Sequence, residues 1–503
     1  MQASVRAVES LRVPTADAAS NCESPGADAP IRPEAGTGAK RVPPRAIELI
    51  GIAFGIGIIA VVALGYQLSN DVFWQIASGN WMLAHHSVMG LDPFSYTEAH
   101  RRWITDEWGS SVALAGLSKV VGNAAYPLYA TALGGLCLFA TAAYARALGA
   151  RGGRVAAIVL VLAMGISGVL AGDRGLDFSL VWLPLELLLL TKARGNPRWL
   201  WCLPILSVVW VNTHGSILIG LIVLGVELGW SLVPEGIVGR IGGVSQSSHT
   251  GPLALALVGS VAASCLTPYG PGLLTYDIGV SMNGQIGQYI NEWNSPDFHS
   301  LMVVLAYCVP LAVLVAVVRT RRVPVLEGTL ATALFIEALR TQRLAIYLMV
   351  VAAGLAATLP MRPAWGTTAR RVAVALFAVL AIALLAQPSV PAGSISPTLP
   401  VQAFNYLESH PGRIFTEYTW GDYSIARHRA TFADGRTDLF EGKVLTDFFA
   451  MTYMTTNPDP VLSAYHVSYV VWAPNTALSN YLDHDPRWRV VDHSSVAWVF
   501  VRR

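Results

Sequence analysis

Carboxylates placed where an apolar run meets water are the first residues here that can do chemistry. Asp71 follows a long apolar run almost at once, in Ser69-Asn70-Asp71-Val72-Phe73-Trp74. Read as the C-terminus of a spanning helix, this position sets a negative charge against the helix dipole. Ionisable groups at membrane depth are costly and often functional. Such a carboxylate can act as general base toward a hydroxyl or as a hard ligand to a metal; the plainer reading is a solvated helix end. Asp173 and Asp177 lie close together in Gly172-Asp173-Arg174-Gly175-Leu176-Asp177, a tight turn between two apolar runs. Two hard oxygen donors at this spacing suit one divalent cation, Mg2+ or Mn2+, and neutralisation by Arg174 is the alternative. Trp210-Val211-Asn212-Thr213-His214-Gly215 sets an amide and an imidazole among apolar residues, where both need partners. Asn212 and His214 are therefore either substrate contacts or satisfied structural groups. Arg340 and Arg343 form a basic pair in Glu337-Ala338-Leu339-Arg340-Thr341-Gln342-Arg343. Arginine grips phosphate through parallel bonds and keeps its charge on burial. A lipid phosphate suits this pair, as does ion pairing with Glu337, Asp297 or Glu292.

The elements that hold these residues follow from composition. Of 503 residues, 53% are hydrophobic and 13% are charged, against about 25% charged in an average soluble domain. Mean hydropathy is +0.48. With 34 Lys+Arg against 32 Asp+Glu there is no basic footprint for nucleic acid. Cys22, Cys137, Cys202, Cys265 and Cys308 show no paired spacing, so neither a disulfide framework nor a zinc site is indicated. An α-helical multi-pass membrane protein is the class that remains. Residues 1–46 read as a disordered cytoplasmic tail. Residues 47–388 read as a transmembrane region of about eleven spans, each needing roughly 20 residues, the last at 371–388. Basic residues such as Arg45, Arg151, Arg194, Arg240, Arg319 and Arg370 gather at one set of span ends, which the positive-inside rule makes cytoplasmic. Acidic residues, among them Asp71, Asp106, Glu107, Asp277 and Glu292, gather at the other. Long outer loops at 69–123 and 268–300 exceed what a connector needs; the first is expected to hold interfacial helices at 74–85 and 108–121. Residues 389–503 read as a small α/β extracytoplasmic domain, with strands at 413–418, 467–472, 488–491 and 496–501.

This arrangement resembles the GT-C superfamily of membrane glycosyltransferases, which use polyprenyl-phosphate-linked sugars. Asp71 stands where that superfamily has an acidic residue opening the first outer loop; Asn70-Asp71 occupies the place of the Asp-Glu of dolichyl-phosphate-mannose-type members. Thr419-Trp420-Gly421-Asp422-Tyr423-Ser424 resembles the Trp-Trp-Asp-Tyr-Gly region of oligosaccharyltransferases, with Gly421 for the second Trp and Ser424 for the Gly. The resemblance implies acceptor contacts from Trp420, Asp422 and Tyr423, and acidic metal ligands where Asp173 and Asp177 fall. Asp92-Pro93-Phe94-Ser95, Glu107-Trp108, Glu292-Trp293 and Asp434-Gly435-Arg436 add a likeness to a group of bacterial multi-pass proteins of this topology, with Glu107 and Glu292 expected at the substrate. The implied activity is inverting sugar transfer at the outer face of the plasma membrane. Its donor is lipid-linked, its acceptor a glycan, lipid or protein, with Asp71 acting on the acceptor and Arg340 and Arg343 on the lipid phosphate. Two alternatives stand beside it: a non-catalytic scaffold of the same fold, and a lipid or solute transporter. The transporter is disfavoured because Glu186 and Glu227 are nearly the only charges inside the spans.

Overall fold

Glycines set how closely the first helices pack. In the computed structural model, α1 (Pro44–Leu64) begins on a proline whose fixed φ suits a helix start. A Cβ on Gly51 of α1 would lie 2.5 Å from the Ala156 Cβ, so only glycine lets α5 (Gly153–Leu170) approach this closely. The structure describes residues 43–68, 70–170, 178–240, 242–244, 249–360 and 394–503. Asp173, Asp177, the 371–388 span and nearly all of the 1–46 tail lie outside these residues. Pro43–Arg503 form one compact unit.

Two features of the first long loop differ from expectation. The chain leaves α1 at Gly65, and the Leu68 backbone exchanges hydrogen bonds with Ser394 and Ser396 at 2.8 and 3.1 Å. This bridge ends the first span before Asp71, which becomes the first residue of α2 (Asp71–His85). Its carboxylate therefore meets the positive end of a helix dipole, which favours it, and not the opposing end of α1. Second, α3 (Trp108–Val121) passes through a 3-10 turn at Gly122–Ala124 into α4 (Ala125–Ala147), making a 40-residue apolar stretch. The helix expected at 108–121 is present with those bounds and leads directly into the next apolar helix. Gly122, at φ +60, provides a left-handed joint that side chains disfavour.

The helical region continues with α6 (Ser179–Ala193), α7 (Cys202–Val211), α8 (Ile217–Ser231), the short α9 (Glu235–Arg240) and α10 (Thr250–Ala263). The second long loop supplies α11 (Gly272–Met282) and α12 (Gly284–Tyr289) before α13 (Leu301–Arg319), α14 (Val325–Arg340) and α15 (Ala345–Thr358). Among the described residues, Pro44–Leu64, Trp108–Ala147 and Gly153–Leu170 are long and apolar enough to cross a membrane. Other apolar helices, including Ile217–Ser231 and Thr250–Ala263, are shorter. A two-residue parallel ladder joins β1 (Gly243–Val244) to β2 (Val323–Pro324).

The C-terminal region carries a four-stranded sheet in the order β3-β4-β6-β5, where β3 is Arg413–Thr416, β4 Val467–Trp472, β5 Trp488–His493 and β6 Trp498–Arg502. β3 and β4 are parallel, while β4, β6 and β5 run antiparallel in turn. Helices α16 (Val401–Glu408), α17 (Tyr418–Ala426), α18 (Lys443–Thr452), α19 (Pro458–Ala464) and α20 (Ala477–His484) surround it. Phe415 stacks on Trp472 at 5.2 Å and meets Phe432 edge-on at 5.0 Å, building a core of aromatic contacts.

One buried ion cluster fastens this domain to the first long loop. Arg436 donates to Asp92 at 2.6 Å and, through Nε and a terminal nitrogen, to both Asp434 oxygens at 2.7 Å. All three side chains are fully buried, and the guanidinium lies over the Trp103 ring at 4.7 Å. Thr97 Oγ1 donates to the Phe432 carbonyl at 2.6 Å and Tyr96 Oη to the Ile414 carbonyl at 2.8 Å beside it.

Candidate active site

A cavity of about 400 Å³ opens where the first long loop, the start of α8, α11, the α14–α15 turn and the C-terminal domain meet. Five residues singled out from sequence line it: Asp71, Glu107, His214, Glu292 and Arg343. Asp71 is held by the Trp74 indole, whose Nε1 donates to Oδ1 at 3.1 Å. Gly435 forms the floor beside it. A Cβ there would fall 2.4 Å from Asp71 Oδ1 and 2.8 Å from Asp422 Oδ2, so the glycine gives two carboxyl groups room. Asp422 accepts the Gly435 N–H at 2.8 Å and is buried. Burial, then the nearby Asp71 and Asp434, hold the Asp422 carboxyl well above the usual carboxylate range.

Glu107, just ahead of α3, takes a hydrogen bond from Gln75 at 2.7 Å and faces His214 Nε2 at 3.3 Å. The Ser216 N–H points to His214 Nδ1 at 3.1 Å, which makes that nitrogen the acceptor and puts the ring proton on Nε2, toward Glu107. His214 is buried at the cavity wall. Arg343 pairs with Glu292 at 3.6 Å and lies over the Trp293 ring at 5.3 Å. Leu218, Ile219, Val280 and Leu344 make the apolar part of the lining.

The other expected site residues sit elsewhere. Arg340, three-quarters exposed, pairs with Glu337 at 3.4 Å and does not line the cavity, so the arginine pair is split by its helix end. Asn212 accepts from the Trp108 indole at 3.0 Å and donates to the Val208 and Leu266 carbonyls at 2.8 and 2.9 Å, tying α3, α7 and the end of α10 together. Trp420 and Tyr423 are buried; Tyr423 packs edge-on against Phe73 at 5.5 Å and Phe404 at 5.2 Å. With Asp422 they form the seam between α2 and α17. Among the described residues no group of three His, Cys, Asp or Glu is arranged to hold a metal ion.

Three carboxylates that sequence spacing does not single out also line the cavity: Asp106, Asp277 and Asp438. Asp438 accepts from the Trp103 indole at 3.0 Å and from Tyr276 Oη. Burial, reinforced by Asp106 and Asp438, pushes the Asp277 carboxyl up to about 9. Burial likewise raises Asp106, against the opposing pull of His214. The consecutive acids Asp106-Glu107 and the Asp434-Gly435-Arg436 motif were the visible signals, but neither reveals what faces it across the cavity.

No protein-family model matches the chain, and no curated protein matches it in sequence. Its three-dimensional likenesses include an oligosaccharyltransferase and an arabinofuranosyltransferase. AglB, an oligosaccharyltransferase from Archaeoglobus fulgidus solved with an inhibitory peptide and a dolichol-phosphate, matches with a TM-score of 0.65 at 12% identity, over 85% of this chain and 69% of that one. The fold is GT-C-like. ArnT from Cupriavidus metallidurans, bound to undecaprenyl phosphate, matches with a TM-score of 0.54 at 14% identity, over 90% of this chain and 97% of that one. The arabinofuranosyltransferase AftD from Mycobacteria matches with a TM-score of 0.50 at 14% identity, over 92% of this chain and 40% of that one. At such identities the likeness is one of fold, and the apolar helices and this fold together describe a membrane protein. Function must come from the site.

Proposed function

We propose that this protein is an inverting glycosyltransferase that moves a sugar from a polyprenyl-phosphate-linked donor to an acceptor hydroxyl at the outer face of the plasma membrane. The observation that carries the reading is that Asp71 and Arg343 line one cavity whose wall is in part apolar, within a fold whose solved examples include one holding a dolichol-phosphate and one holding undecaprenyl phosphate. In this reading the lipid phosphate displaces Glu292 from Arg343 and takes its guanidinium through charge-assisted bonds. The acceptor oxygen forms a bond to the anomeric carbon while the bond from that carbon to the phosphate oxygen breaks. Its proton passes to Asp71, and the electron pair leaves with the polyprenyl phosphate beside Arg343. The Trp74 indole and the α2 N-terminus hold Asp71 in position for that step. The N-terminus would be cytoplasmic and the C-terminal domain outside, with a glycan, lipid or protein as acceptor.

A divalent cation, Mg2+ or Mn2+, held by Asp173 and Asp177 is a separate element of the proposal, and no step above passes through it. The decisive experiment is transfer of labelled sugar from a polyprenyl-phosphate donor by the protein reconstituted in membranes. Asp71→Asn is expected to lower the rate by about a hundredfold or more, the usual scale for a general base. Undiminished transfer by that variant removes Asp71 from the mechanism.

A further inference from the structure

Besides the groups used above, two further carboxyl groups of the cavity, those of Asp106 and Asp277, converge on one glycine. Asp106 precedes α3 and Asp277 lies on α11, both in the long loops outside the spans. Their nearest oxygens lie 2.5 and 2.8 Å from the point that a Cβ on Gly215 would occupy, so only glycine lets both carboxyl groups close on this stretch of backbone. Asp277 is 7% exposed, and its Oδ2 has no hydrogen-bond partner although it lines the cavity. An unmade bond on a buried carboxyl oxygen is costly unless a ligand completes it.

The surrounding charges select the ligand. The lining carboxylates are Asp71, Asp106, Glu107, Asp277, Glu292, Glu337 and Asp438, against the cations Arg343 and Arg436 and the imidazole of His214. Arg436 is fully committed to Asp92 and Asp434, His214 faces Glu107, and Arg343 faces Glu292. His214 and Arg343 still draw on Asp106, whereas burial, Asp106 and Asp438 all act against the charge of Asp277, which faces an acidic space. We propose that Asp106 and Asp277, brought together against Gly215, form a subsite for a primary ammonium group carried on a sugar-sized ligand. An ammonium brings three donors and a positive charge. It satisfies the open Asp277 oxygen and favours the charged form of both carboxyl groups, which burial opposes. A neutral hydroxyl offers one donor and leaves the negative field uncompensated. The inference deepens the glycosyl-transfer reading and rests on it for the word sugar; the amine belongs to either the donor sugar or the acceptor.

The test uses the full-length protein in nanodiscs at neutral pH, with glucosamine, glucose and N-acetylglucosamine as binding probes and labelled undecaprenyl phosphate measured in parallel. Glucosamine is expected to bind at least about tenfold more tightly than the other two sugars. Asp106→Asn with Asp277→Asn should bring the three to parity. Gly215→Ala, which keeps both acids but forces their carboxyl groups apart, should do the same, and retained undecaprenyl phosphate binding shows that each variant is folded. Equal binding of the three sugars by the unmodified protein, or an unchanged preference in both variants, overturns the subsite. Undecaprenyl phosphate bound without amine preference rejects the subsite alone. Amine preference without undecaprenyl phosphate binding keeps it and rejects the transferase reading. Transfer assays with the amine on the donor in one arm and on the acceptor in the other assign its source.

Discussion

Replacing Arg436 by methionine tests whether one buried cluster holds the C-terminal domain to the membrane region. Methionine keeps much of the stem and its packing against Trp103, Phe94 and Phe440, so the change falls on charge. Asp92 keeps three other partners, the amides of Phe94 and Ser95 at 3.0 Å each and the Ser95 hydroxyl at 2.5 Å. Among the described residues, Asp434 keeps the backbone N–H of position 436, at 3.1 Å. The loss therefore concentrates on Asp434, and removing one partner of a buried pair costs about 3–5 kcal/mol. For a chain of this size that corresponds to a fall of roughly 3–5 °C in melting temperature, read by thermal unfolding in detergent. Adding Asp434→Asn to the Arg436→Met variant should recover part of the loss, because it removes the stranded charge. The deficit of the single variant should also shrink as pH falls and Asp434 takes up a proton. An Arg436→Met variant that melts within about 1 °C of the unmodified protein, or a double variant no better than the single one, refutes the reasoning.

Other consequences are open to measurement. Arg343→Ala should weaken undecaprenyl phosphate binding by about tenfold to a hundredfold, the scale of a charge-assisted bond, whereas Arg340→Ala should leave it unchanged; equilibrium binding to the two variants decides between them. Asp277 has a folded-state pKa of about 9 against an ordinary value of 3.8, so its contribution to stability is fully present below about pH 4 and is lost as pH rises toward about 9. Thermal unfolding followed across that range should show a shallower decline for Asp277→Asn. If the divalent cation belongs to the mechanism, EDTA should abolish sugar transfer and Mn2+ or Mg2+ should restore it, with Asp173→Asn and Asp177→Asn no longer responding to added metal.

Local signals carried much of this architecture. Val467–Trp472 is a strand because alternating β-branched and aromatic residues fit a pleated sheet, and its limits are those read from sequence. The other strands shift by a residue or two at their ends, and the helix Pro458–Ala464 was not anticipated. Asp71 was recognisable as an acid after an apolar run, but its helix end was not. That depends on Leu68 pairing with residues near 395, a contact between chain segments far apart in sequence. The same limit applies at the cavity. Asp106 and Asp277 are ordinary loop acids until folding puts Gly215 between them. Trp420 and Tyr423 show the converse: residue type matched a known acceptor motif, but the packing of α17 on α2 turned both side chains into the seam.

The floor at Gly435 and the acid at Asp438 come from the last part of the chain, whereas Asp71, His214, Asp277 and Arg343 come before it. Ribosomes add about 5–20 residues per second, so a nascent chain spends several seconds with its membrane helices made and its cavity still lacking a wall. Insertion and competence are thereby separated in time. A chain cut short after α15 would still occupy the bilayer, yet it would hold an open trough of acids with no floor beneath Asp71. Membrane insertion alone therefore reports nothing about whether the site is complete.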